Sequence, residues 1–326
     1  MPSVTKLEKW ISNRPPVKLL RRISKRIYLP GFQGVPLYDV AKFFSQQVQT
    51  VGLNERAAAI SFNFLMAIPA TCIFLFTLVP YLPISKSFLA EMMKLVQNIT
   101  PNKETRRLVA NFLDDFLNKP KTGLLSLGFV LAVFYSSNAM MGIIRTFDKS
   151  LHEKYSSNFI EKRWRAIKLT SILVALIVGT ILISLGQGYL FGWLMKWLGV
   201  KSATTKALIQ WVRWIVVIFL FLYSIGLIYR YAPSVRKRWK IYSPGTIAAT
   251  TLVLLATVVF SYWVQNFSNY NKFYGSIGSI LILMLLIYIN SLILLIGFEL
   301  NVSITALRQV VQQREATTLQ NPANEP

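Results

Sequence analysis

Residues 276–299 read SIGSILILMLLIYINSLILLIGFE, and this stretch decides what kind of molecule the chain builds. A helix needs about 20 consecutive, predominantly apolar residues to cross the hydrocarbon core of a bilayer. This segment exceeds that length and carries no charge before its closing Glu299. Five further apolar stretches lie upstream, near 57–81, 123–144, 167–192, 211–229 and 242–264. One or two such helices could form the core of a soluble domain, but six would leave no layer to face water. The expected fold is therefore all-α: a polytopic membrane bundle of six transmembrane helices occupying 37–305. A basic arm at 1–36 precedes it, and a polar tail at 306–326, expected to be disordered, follows.

Composition agrees. Hydrophobic residues make up 53% of the chain and charged residues 15%, too few charges for an ordinary soluble surface. The net charge of +23 would point to nucleic acid in a soluble protein, but its distribution here points to topology instead. Of the 36 Lys and Arg, 24 fall before the first span, in 145–168, in 230–241 and in the tail. Short loops decide orientation; 230–241 is basic, whereas 265–275 carries only Lys272. Both termini are expected in the cytoplasm, with membrane lipids and anionic headgroups as partners and no nucleic acid. The single cysteine, Cys72, excludes an intrachain disulfide. No apolar signal core precedes the first span, which is expected to act as the uncleaved targeting signal.

The segments outside the spans have patterns of their own. In VKLLRRISKRIY at 17–28, Leu19, Leu20, Ile23 and Ile27 share a helical face, while Lys18, Arg21, Arg22, Lys25 and Arg26 supply charge. Such a segment suits an anionic headgroup layer, or else a solvated basic arm. At 37–53, Val40, Phe43, Phe44, Val48 and Val51 recur at helical spacing, predicting an interfacial amphipathic helix along the cytoplasmic surface. The long loop at 82–122 holds two amphipathic stretches divided by Thr100-Pro101, predicting an extracytoplasmic helical hairpin over the bundle mouth. Gly186-Gln187-Gly188 predicts a kink in the third span, and Ser243-Pro244-Gly245 a helix start.

Polar residues within spans are expensive and mark either helix contacts or a cavity. Tyr135, Asn138 and Arg145 share a face of the second span with Gly128 and Gly142. Ser279, Asn290, Gly297 and Asn301 form a stripe on the sixth, with Tyr288 and Glu299 on its opposite side. The first span contributes Arg56, Asn63 and the helix-bending Pro69. Asn63, Tyr135, Asn138, Ser279 and Asn290 are candidates for a substrate path; the amides could equally be interhelical hydrogen-bond glue. Gly128, Gly142, Gly275, Gly278 and Gly297 are candidates for close helix packing. Arg56, Arg145, Arg230 and Glu299 fall at one end of their helices, and Glu299 is expected to pair with at least one of the three arginines.

Catalytic chemistry finds little footing. His152 is the only histidine, carboxylates are sparse, and no nucleophile elbow, phosphate-binding glycine loop or HExxH helix occurs. No metal site, no cofactor and no enzymatic activity are expected.

From the fourth span onward the chain resembles the YihY/BrkB family of bacterial inner-membrane proteins. The resemblance rests on Tyr229-Arg230-Tyr231-Ala232-Pro233, Trp239, Pro244-Gly245, Tyr274-Gly275-Ser276-Ile277-Gly278 and Leu294-Leu295-Ile296-Gly297-Phe298-Glu299-Leu300-Asn301. Arg56 to Phe62 leading to Pro69, and Ser136 to Asp148, fit the same pattern, whereas Ile287 stands where members commonly carry Trp. The resemblance implies six spans, a cytoplasmic N-terminus and no established activity. An early ribonuclease label for the family was withdrawn, and members have been linked to serum resistance and to lipid or lipopolysaccharide movement. The function it suggests is a transporter, exporter or flippase of an envelope component. The alternative is a non-transporting membrane scaffold that recruits envelope partners through the outside hairpin; under either reading a homo-oligomer is a candidate assembly.

Overall fold

The computed structural model describes residues 31–32, 34–81, 107, 111, 122–151, 157–185, 203–235, 238–266 and 270–320. Seven α-helices cover most of them: α1 (Leu37–Thr50), α2 (Leu53–Leu78), α3 (Thr122–Ser150), α4 (Phe159–Leu185), α5 (Ala203–Tyr231), α6 (Pro244–Asn266) and α7 (Tyr270–Gln320). A 3-10 turn at Val79–Tyr81 extends α2, and there is no strand among the described residues. Four helical segments are long and apolar enough to cross a membrane: Leu53–Leu78, Thr122–Ser150, Pro244–Trp263 and Ile280–Gln313. A shorter apolar segment runs from Ile215 to Tyr231 in α5.

The helices α2 to α7 close a ring. Each packs on the next in sequence, α7 returns to α2, and α7 also reaches α3 across the middle. Local sequence explains the corners. Gly52 joins α1 to α2 at φ +64°, a left-handed conformation that a side chain would strain. Pro233 follows the end of α5, where it cannot continue the helix. Ser243 caps α6, its Oγ accepting from the Thr246 amide at 3.3 Å, and Pro244 takes the first helical position.

Packing is concentrated at the end of the ring where α2, α4 and α6 begin and α3 and α5 finish. Its core holds Ala57, Ile60, Ile143, Ile144, Phe147, Tyr229, Ala249, Leu295 and Phe298. Farther along the same helices, large apolar side chains face outward, among them Val130, Phe134, Leu255, Val258 and Ile280. In water that surface would be costly; against lipid chains it is not.

One expectation is corrected here. The tail after 305, expected to be unstructured, continues α7 as helix to Gln320. Its first turns are held by packing: Ile304 is buried with Phe32, Val35 and Val40, and Leu300 and Leu307 lie against the same cluster. The amphipathic helix α1 therefore covers the extension of α7 with Val40, while Val48 packs toward the main core with Val51. The basic arm with Lys18, Arg21, Arg22, Lys25 and Arg26, and the Gly186-Gln187-Gly188 interruption, lie outside the described residues. So does the 82–122 hairpin, save for Arg107, Asn111 and Thr122.

Candidate functional site: a buried polar lock at the basic end

Glu299, in the middle of α7, is fully buried. A carboxylate in such a place needs a counter-charge and hydrogen bonds, because burial without them costs several kcal/mol or about that order. Both come from other helices. Ser150, the last residue of α3, donates its Oγ hydrogen to Glu299 Oε1. Arg56, in the first turn of α2, donates from Nη1 to the same Ser150 Oγ at 2.6 Å, and this nitrogen lies 3.9 Å from Glu299 Oε1. The run Arg56–Ser150–Glu299 thus ties α2, α3 and α7 together at one point.

A second buried carboxylate sits beside it. Asp148 accepts the Ser234 amide at 2.9 Å and the Ser234 hydroxyl at 3.1 Å. Its counter-ion is Lys162 of α4, 2.7 Å from Oδ2. Arg165, one turn on, donates to Ser234 Oγ at 3.0 Å and to the Ala232 carbonyl at 3.3 Å. These contacts fasten α3 and α4 to the turn that ends α5.

The third connection is between α6 and α7. Asn301 accepts the Gly245 amide at 2.9 Å and donates to Ser243 Oγ at 2.8 Å. Gly245 and Gly297 meet at the crossing itself, and Tyr229 reaches in from α5 to donate to the Leu294 carbonyl at 2.6 Å. Between the three connections lies an aromatic stack. Phe147 and Phe298 are parallel with centroids 3.7 Å apart, Tyr229 tilts against both, and Trp239 meets Phe298 edge-on while bonding Thr305 Oγ1 at 2.9 Å.

The four-residue charge cluster expected from the sequence is only half assembled. Arg56 joins Glu299, but Arg145 and Arg230 do not. Arg145 is exposed and lies over the Phe159 ring, 5.9 Å from its centroid. Arg230 lies 5.5 Å from the Tyr231 ring centroid, with its Nε buried and without a hydrogen-bond partner. Helical phase is the reason: Arg145 is five positions before Ser150, which turns it to the other side of α3.

The candidate path residues take separate neighbours rather than meeting. Asn63 donates to the Ala59 carbonyl of its own helix at 2.7 Å and lies against Gly142. Asn138 accepts from Arg163 Nη1 of α4. Asn290 has its Oδ1 buried without a hydrogen-bond partner, and Tyr135 packs edge-on to Phe134. Gly128 lets α3 approach the α2 backbone at Phe74, and Pro69 is an exposed residue within α2. Gly275 and Gly278 fall in the opening turns of α7, and the Ser279 side chain lies outside the described residues.

These amides make a testable contrast. Asn290→Leu is expected to leave the thermal unfolding temperature unchanged or raise it, since removing an unsatisfied amide relieves a penalty of about 1–3 kcal/mol. Asn138→Leu should lower that temperature, because it takes an acceptor away from Arg163. Heating the two purified variants beside the parent protein checks both directions.

Sequence reasoning missed Ser150, Ser234 and the Asp148–Lys162 pair. The signal was present: Asp148 and Glu299 are carboxylates within the continuous helices α3 and α7. Among the described residues, no group of three or more His, Cys, Asp or Glu gathers to hold a metal ion.

Comparison with known proteins is consistent along nearly the whole chain. A family model described as virulence factor BrkB matches residues 44–322. The ribonuclease-like protein YfkH of Bacillus subtilis is 28% identical over 76% of this chain and 88% of its own length. The UPF0761 membrane protein NTHI0384 of Haemophilus influenzae is 22% identical over 86% of this chain and its entire length. A UPF0761 membrane protein of Tolumonas auensis is 23% identical over 79% of this chain and 82% of its own. No solved structure gives a significant match.

Proposed function

Because this chain belongs to the virulence factor BrkB family of membrane proteins, we propose that it is a six-span transporter of an amphipathic envelope component, a lipid or a lipopolysaccharide-like molecule. In this reading α2 to α7 are the spans, the protein sits in the bacterial inner membrane, and both termini are cytoplasmic. The basic end of the ring faces the cytoplasm, with the 1–36 arm on the anionic leaflet. Transport is by binding and conformational change, without covalent chemistry.

The observation that supports this reading is the position of the Arg56–Ser150–Glu299 connection. It lies where α7 meets α2 and α3, at the tightly packed end of a ring whose buried residues, among those described, thin out along the helices. One ion pair and one serine join three helices, so breaking them removes the polar tie between α2, α3 and α7 without disturbing the lipid-facing surface. A buried pair of this kind contributes little net stability compared with apolar packing, but it offers two discrete arrangements, joined and parted.

The test is reconstitution into vesicles containing a fluorescently tagged phosphatidylglycerol, with a membrane-impermeant quencher added outside. The expected result is faster loss of the protected fluorescence with the protein than with empty vesicles. Arg56→Gln should raise that rate by loosening the closed end. Protein-containing vesicles that behave like empty ones, for tagged phospholipid and for tagged lipopolysaccharide alike, would remove the reading.

A further inference from the structure

We propose that the ring of α2 to α7 opens, away from the Arg56–Ser150–Glu299 connection, into an apolar chamber that takes an acyl chain of a membrane glycerophospholipid. A chamber of this kind deepens the transport reading and rests on it, since it fixes which part of an amphipathic molecule enters the ring.

Three helices carry the same gradient along the face they turn to the centre. That face is marked at the packed end by Phe147 of α3, Tyr229 of α5 and Phe298 of α7, whose rings pack together. Residues three, four or seven positions apart stay on one side of a helix. On α3 the series runs Phe147, Met140, Ser136, Val133, Phe129: the first two are buried, Ser136 is half-buried and the last two are exposed. From Tyr229, α5 repeats this order toward Ile218 and Ile215, and from Phe298, α7 repeats it toward Met284 and Ile280. The six residues at the open ends of these series are between 38% and 62% exposed.

Helix ends that simply splayed into lipid would lose their side contacts as well, and the α2–α3 wall does not. Beside Phe129, Gly128 still lets α3 lie against the α2 backbone at Phe74, and the Phe74 and Phe129 ring centroids are 5.5 Å apart. Thr77, Ala70 and Ala132 are buried in the same seam. The wall is closed here while its inner face is open. Ring geometry gives the reason. Packed helices lie about 8–10 Å apart, and the centre of a regular ring of six is as far from each axis as a neighbour is. At the packed end Phe147, Phe298 and Tyr229 reach across that centre. Farther along, their places are taken by Val133, Met284 and Ile218, which are too short to close it and stay exposed.

The six exposed residues carry no charge and no hydrogen-bond donor, so water there has little to bind, and a dry apolar space takes an apolar guest. In a bilayer that guest is an acyl chain. From Met140 to Phe129 is about 16 Å of helix, close to the roughly 15 Å hydrocarbon half of a bilayer. Met284, unbranched and flexible, adapts to straight or bent chains. The aromatic stack is the floor, so the chain enters from the side away from Glu299 and its headgroup stays at the mouth.

Nanodiscs of the full-length protein test this, in phosphatidylglycerol doped with a phosphatidylcholine that carries a diazirine halfway along one acyl chain. After irradiation, labelled residues are mapped by mass spectrometry. Labels are expected on Val133, Ile218 and Met284 as well as on the outward-facing Phe62 and Val258. The variant Val133→Trp/Met284→Trp, which fills the chamber, should lose the label on Ile218 while Phe62 and Val258 keep theirs. Should it fail to fold, the labels on the parent still decide. Labels confined to Phe62 and Val258 would mean that the protein fills its own ring, the 82–122 segment included, and overturn the chamber. An Ile218 label unchanged in the folded double variant would do the same. The vesicle assay separates the two readings: inner labels without faster fluorescence loss would keep the site and remove transport. Faster loss with labels confined to the outside would remove the site alone.

Discussion

Glu299→Ala is expected to cost about 3–5 kcal/mol of stability, because it leaves a positive charge and a serine without the buried group they were arranged around. The size follows from asymmetry. Glu299 is fully buried, whereas the Arg56 side chain keeps 19% of its exposure. Losing the arginine strands a carboxylate in the interior; losing the carboxylate strands an arginine that can partly turn to water or headgroups. Arg56→Gln should therefore destabilise at least as much as Glu299→Gln. Ser150→Ala should fall below both, since it removes a bridge and no charge. The double variant Arg56→Gln/Glu299→Gln should lose less than the sum of its parts, with a coupling of about 0.5–3 kcal/mol. Thermal unfolding of the purified variants in one detergent gives each of these values. Strict additivity would mean the two groups do not interact, and the closed end proposed above would lose its fastening.

The apolar pattern already contained the four helical segments that are long and apolar enough to cross a membrane. α2, α3 and α6 each lie within a few residues of the stretches read from hydropathy, because a continuous apolar run flanked by charge has little alternative to a helix in lipid. What hydropathy could not supply was phase. Arg56, Arg145 and Arg230 lie near the ends of α2, α3 and α5, and Glu299 lies where the apolar run of α7 closes; such depth can be counted from the sequence. Which of them face each other depends on the rotation of each helix, set by contacts such as Phe147 on Phe298 that only assembly creates. The same limit explains the amides: Asn138 points to α4 and Asn63 rests against Gly142, so a stripe on each helix did not become a shared lining. The extension of α7 was misread for a different reason. Residues after 305 are polar enough to look like a tail, but Ile304 and Leu307 have a partner in α1, forty or so positions into the chain. A polar helix covered on one face by a distant segment leaves only a weak signal in its own sequence.

Gly245→Val is expected to abolish the folded state, and Gly245→Ala to destabilise it by several kcal/mol, on the order of the largest single-residue effects. A Cβ at Gly245 would overlap the carbonyl oxygen of Gly297 and lie 2.7 Å from the Asn301 side chain. The obstacle is backbone on one side and a side chain bonded to the Gly245 amide on the other, so neither can move away cheaply. Gly297 is confined from the other direction: a Cβ there would meet Tyr229 Oη at 2.5 Å, the Gly245 carbonyl at 2.6 Å and Ala249 Cβ at 2.7 Å. Separating α6 from α7 to make room would stretch the bonds of Asn301 to Gly245 and Ser243 and that of Tyr229 to Leu294. Interhelical packing in a membrane rests on such close backbone approach, with no hydrophobic gain to replace it. The comparison that isolates the crossing is Gly123→Ala, since a Cβ there meets nothing within 4 Å. Size-exclusion profiles and unfolding temperatures of the four variants should separate them cleanly: Gly123→Ala like the parent, Gly245→Ala and Gly297→Ala lowered, Gly245→Val aggregated or absent. A Gly245→Val protein that remains monodisperse with the parent's unfolding temperature would show that α6 and α7 do not cross at these two glycines.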